Sequence, residues 1–98
     1  MPFVIIAHDK PDSFDLRLRV RPEHLAHMDA NVHRILGAFA ITDDDDTIVT
    51  GGVIVLDTEE RALAERFVAD DPFTQAGLFE RVTISHCRKA FFNFQRLI

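Results

Sequence analysis

The residues of this chain with the means to do chemistry are gathered in a few places. Arg17, Arg19 and Arg21 alternate with apolar residues just ahead of Pro22-Glu23-His24. Planar guanidinium groups are well suited to clamping a carboxylate or phenolate, and Arg21, nearest to His24, is the one best placed to do so. Set against that is a solvated face among sixteen acidic side chains, the more common fate of such arginines. A histidine titrates close to neutral pH and becomes an effective general base when a carboxylate orients its ring. His24 and His27 are three apart and can share a metal on one helix face, with His8 or His86 as further ligands, but a usual zinc spacing is missing and surface histidines are the commoner reading. Asp43-Asp44-Asp45-Asp46 lacks the alternating ligands, glycine and closing glutamate of a calcium loop, and reads as a solvated hairpin turn. Cys87 lies beside His86 without a catalytic constellation and reads as packing.

The elements that must position these residues follow from periodicity. Phe3 to Ala7 is a short β-branched apolar run closed by a polar, proline-containing loop, which predicts a buried strand. Phe14 to Arg21 alternates strictly between apolar and charged residues, and that period taken alone argues for another strand. Pro22 suits the first turn of a helix, and Leu25, Met28 and Val32 recur at helical spacing, which places a helix from about Arg21 to about Asn31. Ile35 to Ile41 and Ile48 to Leu56 flank the aspartates as a hairpin. Asp57 or Thr58 caps a second helix, with Glu59 and Glu60 in its first turn and Leu63, Phe67 and Val68 along its buried stripe. Asp71-Pro72 ends it, because the residue before a proline is pushed out of helical geometry. Phe79 to Cys87 is the fourth strand, with Val82, Ile84 and His86 on one face.

That order, β-α-β-β-α-β, is the ferredoxin-like α+β arrangement, in which two helices cover one face of a four-stranded antiparallel sheet. Residues 1–98 form one domain, with a core of about 1–87 and an aromatic tail over 88–98 that carries Phe91, Phe92 and Phe94 and is expected to dock on its own sheet or a partner. Strands as apolar as the third imply burial on both sides, so a homodimer with two sheets face to face is expected. The formal net charge of −5 disfavours nucleic acid and anionic membranes as partners. A single cysteine and the lack of a long apolar run point to a cytoplasmic protein.

Two segments carry a family resemblance. Arg17-Leu18-Arg19-Val20-Arg21-Pro22-Glu23-His24-Leu25 resembles the arginine-rich approach to a histidine-leucine pair in YciI-like (YCII-related) proteins, and Asp71-Pro72-Phe73-Thr74-Gln75-Ala76-Gly77-Leu78 resembles that family's aspartate-proline-aromatic segment. With Asp9-Lys10-Pro11, Gly37 and Gly51-Gly52, the resemblance covers nearly the whole chain. It implies a dimeric ferredoxin-like barrel with a cleft where His24 and Asp71 face each other. It also implies that the segment before the histidine is helical or irregular, overruling the strand over Leu16 to Val20. The chain departs from the pattern at Gly52, where many relatives have serine, at Ala38 after Gly37, and at His86-Cys87, where relatives often have proline-tryptophan.

The resulting expectation is a cofactor-independent lyase or isomerase. His24 moves the proton and Asp71 orients it, or the two exchange roles, on a small activated ring or carbonyl compound, anionic or phenolic in character. Arg21, Arg17, Gly52 and Phe73 are the expected ligand contacts. The competing expectation is a non-catalytic domain that holds a small anion in the same cleft. Each half of the pair also has an ordinary structural use: a histidine in a helix's first turn is commonly solvated, and an aspartate before a proline is commonly an N-cap.

Overall fold

Alternation along the first strand decides which side of the sheet is covered. In the computed structural model, which describes residues 1–98, β1 spans Phe3–Asp9. Side chains two apart share a face. Phe3 and Ile5 are therefore sealed together, in a core completed by Leu56, Ala64 and Phe67. The chain continues through α1 (Phe14–Ala30), a short 3-10 turn, β2 (Ile35–Thr42), β3 (Val49–Leu56), α2 (Arg61–Asp70), α3 (Pro72–Gln75) and β4 (Phe79–His86). The sheet order is β2-β3-β1-β4 with every pair antiparallel, the ferredoxin-like arrangement expected from the sequence. β1 is central, facing β3 with Ile5 opposite Ile54 and β4 with Ile5 opposite Ile84. Gly51 marks the tightest approach of β3 to β1, since a Cβ there would collide with the Ala7 carbonyl.

The helices cover this face unequally. Ala64 and Phe67 of α2 are fully buried, whereas no residue of α1 is. α1 stands off the sheet and leaves a cleft between the two.

Several boundaries differ from the sequence reading, those of the helices most. α1 begins at Phe14, not near Arg21, so Pro22 lies inside the helix and not in its first turn. The apolar-charged alternation of Phe14 to Arg21 coexists with a second pattern, Phe14, Leu18, Leu25 and Met28 at spacings of four, seven and three. That stripe is helical, and all four of its residues line the cleft between α1 and the sheet. α2 starts at Arg61 because the Thr58 hydroxyl accepts the Glu60 amide in a local turn, which leaves Glu59 and Glu60 ahead of the helix. β4 stops at His86, one residue short of Cys87.

The aspartate run forms the β2–β3 turn, as expected. Asp43 accepts the Thr47 amide and hydroxyl and the Ile48 amide. These bonds, led by the Thr47 hydroxyl, hold the Asp43 carboxyl below its ordinary value. The aromatic tail folds into a small hairpin, β5 (Phe91–Phe92) and β6 (Gln95–Arg96), whose aromatic side chains stay exposed. No helix is long and apolar enough to cross a membrane.

Candidate active site

The cleft between α1 and the sheet encloses about 450 Å³ and is lined mostly by apolar side chains. One face of α1 supplies Phe14, Arg17, Leu18, Arg21, His24 and Leu25 to its wall. Ala38, Gly52 and Ile54 from the sheet form the opposite wall. The polar groups converging on it are few, which is how small-molecule sites are generally built.

His24 and Asp71 meet there, 47 residues apart in the chain. The His24 Nδ1 lies 2.9 Å from Asp71 Oδ1 and 3.1 Å from Oδ2. An ionised carboxylate only accepts, so against an ionised Asp71 it is Nδ1 that donates, and a neutral ring in that pairing keeps its lone pair on Nε2. Asp71 is buried, at 3 % exposure, and its Oδ1 also accepts the Phe73 amide at 2.9 Å as the N-cap of α3, with Pro72 at the first helical position. The ordinary use of an aspartate before proline and its pairing with histidine are thus made by one side chain. The His24 ring stacks on Phe73 with centroids 4.0 Å apart and planes 15° from parallel. The imidazole is held by its edge and by its face.

The other expected contacts divide into two groups. Arg21 lines the cleft, is exposed and makes no ion pair. Gly52 also lines it, and a Cβ there would sit at an ordinary 3.5 Å from the Phe39 carbonyl oxygen, so a serine fits where this chain has none. Arg17 is engaged elsewhere. Its Nε and Nη2 donate to the two carboxylate oxygens of Asp9 at 2.7 and 3.0 Å, and its guanidinium lies over the Phe73 ring. Phe73 itself is 1 % exposed. Asp9 was not among the expected site residues; in the sequence it stood only in the Asp9-Lys10-Pro11 segment of the resemblance, with alternation putting it on the same face as Ile5 and Ala7.

His27 does not join His24 around a common ligand. Its Nε2 donates to the Phe67 carbonyl at 3.0 Å, near the C-terminal end of α2, where carbonyls lack intrahelical partners. That bond ties α2 to α1 behind the cleft. No group of three or more histidine, cysteine, aspartate or glutamate side chains is arranged to hold a metal.

Comparison with known proteins places these features in context. The YCII-related domain model matches residues 1–88. Protein YciI of Escherichia coli is 34 % identical over 98 residues, covering 93 % of this chain and 100 % of that protein. An uncharacterised protein of Haemophilus influenzae is 32 % identical over the same shares. Among solved structures, a 5-chloro-2-hydroxyhydroquinone dehydrochlorinase from Burkholderia phenoliruptrix, in complex with 2,5-dihydroxybenzoquinone, superposes with a TM-score of 0.83 at 29 % identity, over 90 % of this chain and 94 % of that one. An antibiotic biosynthesis monooxygenase, at 18 % identity and a TM-score of 0.53, shares the fold.

Proposed function

This chain belongs to the YCII-related domain family, and from that premise we propose that it is a small-molecule enzyme of lyase or isomerase type that transfers a proton with His24. The observation that carries the reading is the His24–Asp71 pair in the wall of an apolar cleft, with Nδ1 on the carboxylate and Nε2 unpartnered. Nε2 takes a proton from a C–H beside a carbonyl of the ligand, and the electron pair left behind becomes the double bond of an enolate. In an isomerisation the proton returns at another carbon. In an elimination the electron pair expels a leaving anion, and the proton goes from His24 to solvent. Asp71 keeps the ring in its Nδ1–H form and stabilises the imidazolium. Arg21 faces the developing oxyanion as a charged donor. Both steps balance without oxidant or reductant.

The cleft argues for the class of ligand. Its apolar walls suit a flat ring, and the one charge without an ion partner, on Arg21, suits a phenolate or carboxylate. The dehydrochlorinase relative, solved with a dihydroxybenzoquinone, supports hydroxylated rings as the first compounds to try. Gly52 lies in the cleft wall and offers no hydroxyl, which leaves the polar recognition to His24 and Arg21. The proposal includes a homodimer, because the sheet face away from the helices presents Val4, Ile6, Val53 and Val55 with Phe39 at 65 % exposure. A lone, unpaired cysteine supports a cytoplasmic setting.

The test is turnover of chlorinated and unchlorinated polyhydroxybenzenes, followed by chloride release and ultraviolet absorbance, by wild type and by His24→Gln. Loss of the base should slow turnover by about 100-fold or more. Ligands that bind without being altered would favour the anion-binding reading, and an unchanged rate in His24→Gln would remove His24 from the chemistry.

A further inference from the structure

Arginines beside a small-molecule cleft are usually read as ligand clamps, yet Arg17 has no free fork to offer. Its two donors to Asp9 form a bidentate pair whose side chains are only 11 % and 5 % exposed, so solvent screens it little. The Arg17 guanidinium carbon lies 4.6 Å from the centre of the Phe73 ring, and His24 stacks on the same ring at 4.0 Å. Arg17 and His24 are two helical turns apart on α1, about 10.5 Å along the axis, which is the room a ring contacted on both faces requires. That spacing on α1 lets one side chain sit over each face of the Phe73 ring. Its amide is fixed by Asp71 Oδ1, the same oxygen that lies 2.9 Å from His24 Nδ1.

We propose that Arg17, anchored by Asp9, is a positioning residue for His24: it holds Phe73 against the imidazole and so keeps Nδ1 on Asp71 and Nε2 turned to the ligand. This rests on the reading of His24 as the base. Three physical features support it. The Asp9–Arg17 pair starts at the end of β1, where Asp9 lies opposite Phe79 of β4, and ends on the ring that His24 stacks on. An aromatic face attracts a guanidinium, so Arg17 is drawn to the ring as well as to Asp9. Being paired, Arg17 brings no net charge towards the imidazolium that forms in the reaction. A site held to within a fraction of an ångström needs such support behind the residues that touch the ligand.

The experiment follows the His24 Nδ1 proton by NMR in wild type, Asp71→Asn, Arg17→Met, Arg17→Lys and Asp9→Asn, recording its exchange with solvent and the ring tautomer from nitrogen shifts. Thermal unfolding of each variant is measured alongside. In wild type the Nδ1 proton should be present and slowly exchanging. Arg17→Met and Asp9→Asn should speed its exchange by roughly tenfold or more and mix the tautomers, and Arg17→Lys, which keeps the charge but not the planar fork, should rescue only in part. If Arg17→Met and Asp9→Asn lower thermal stability yet leave exchange and tautomer as in wild type, the pair is structural and the positioning role is overturned while the His24–Asp71 pair stands. If wild type itself lacks the Nδ1–H form, or Asp71→Asn leaves it untouched, the reading of His24 falls and the positioning role falls with it. Asp9→Asn keeps the shape of the side chain and decides the question should Arg17→Met fail to fold.

Discussion

Asp71 is the residue on which local structure and proposed chemistry meet. One oxygen caps α3 through the Phe73 amide and lies within hydrogen-bond reach of His24. Substitutions should therefore separate the two roles. Asp71→Asn keeps a good N-cap, so its loss of stability in urea unfolding should be small. Asp71→Ala leaves the Phe73 amide without its cap and His24 without its acceptor, and should cost about 1–3 kcal/mol. Equal losses in the two variants would mean that the cap contributes little and that the charge of Asp71 matters most. From sequence, capping and pairing looked like rival explanations, because each motif was weighed by itself. Geometry shows that a buried carboxylate has enough acceptor sites for both. The pairing of Asp9 with Arg17 went unnoticed for a related reason: an aspartate at the end of a strand does not name its partner until the helix that brings Arg17 to it is known.

At the scale of elements, α1 decides whether a cleft exists. Its cleft-facing stripe contains Arg17, Arg21 and His24 among its apolar members, and that polar content hid the helical period behind the apolar-charged alternation of Phe14 to Val20. The strands carried no such conflict, so their order and pairing were legible, and their ends shifted by a residue or two. Pro22, inside the helix, removes the amide that would bond the Leu18 carbonyl. Pro22→Ala should restore that bond and raise stability by about 1–3 kcal/mol in urea unfolding, with a gain in helical circular dichroism. A fall in stability would mean that the break at Pro22 is needed to seat the half of α1 that carries His24.

On the scale of the whole molecule, the helices cover one face of the sheet and leave the other open. The apolar third strand gave this away in the sequence, since a strand facing water on one side would alternate more cleanly. Val4 and Ile6 stand beside Val53 and Val55 on the open face, next to Phe39. Burying such a face against its copy is expected to give a dimer by sedimentation, and Val53→Lys should shift it to monomer and lower thermal stability. A wild-type monomer at high concentration would contradict the sheet-to-sheet dimer without touching the site, whose principal residues all come from one chain. What no pattern in the sequence announced was the stack beneath His24, because it depends on contacts among β1, α1 and α3 that only the folded chain brings together.

In the proposed mechanism Asp71 holds His24 with its proton on Nδ1 and its lone pair on Nε2 in the cleft. The most direct measurement is the tautomer of the neutral His24 ring, read from the nitrogen shifts in long-range proton–nitrogen correlation spectra of wild type and Asp71→Asn. The Nδ1–H form is expected in wild type, and its loss in the variant, whose amide can donate to Nδ1. A wild-type ring protonated on Nε2, or one indifferent to Asp71, would contradict it.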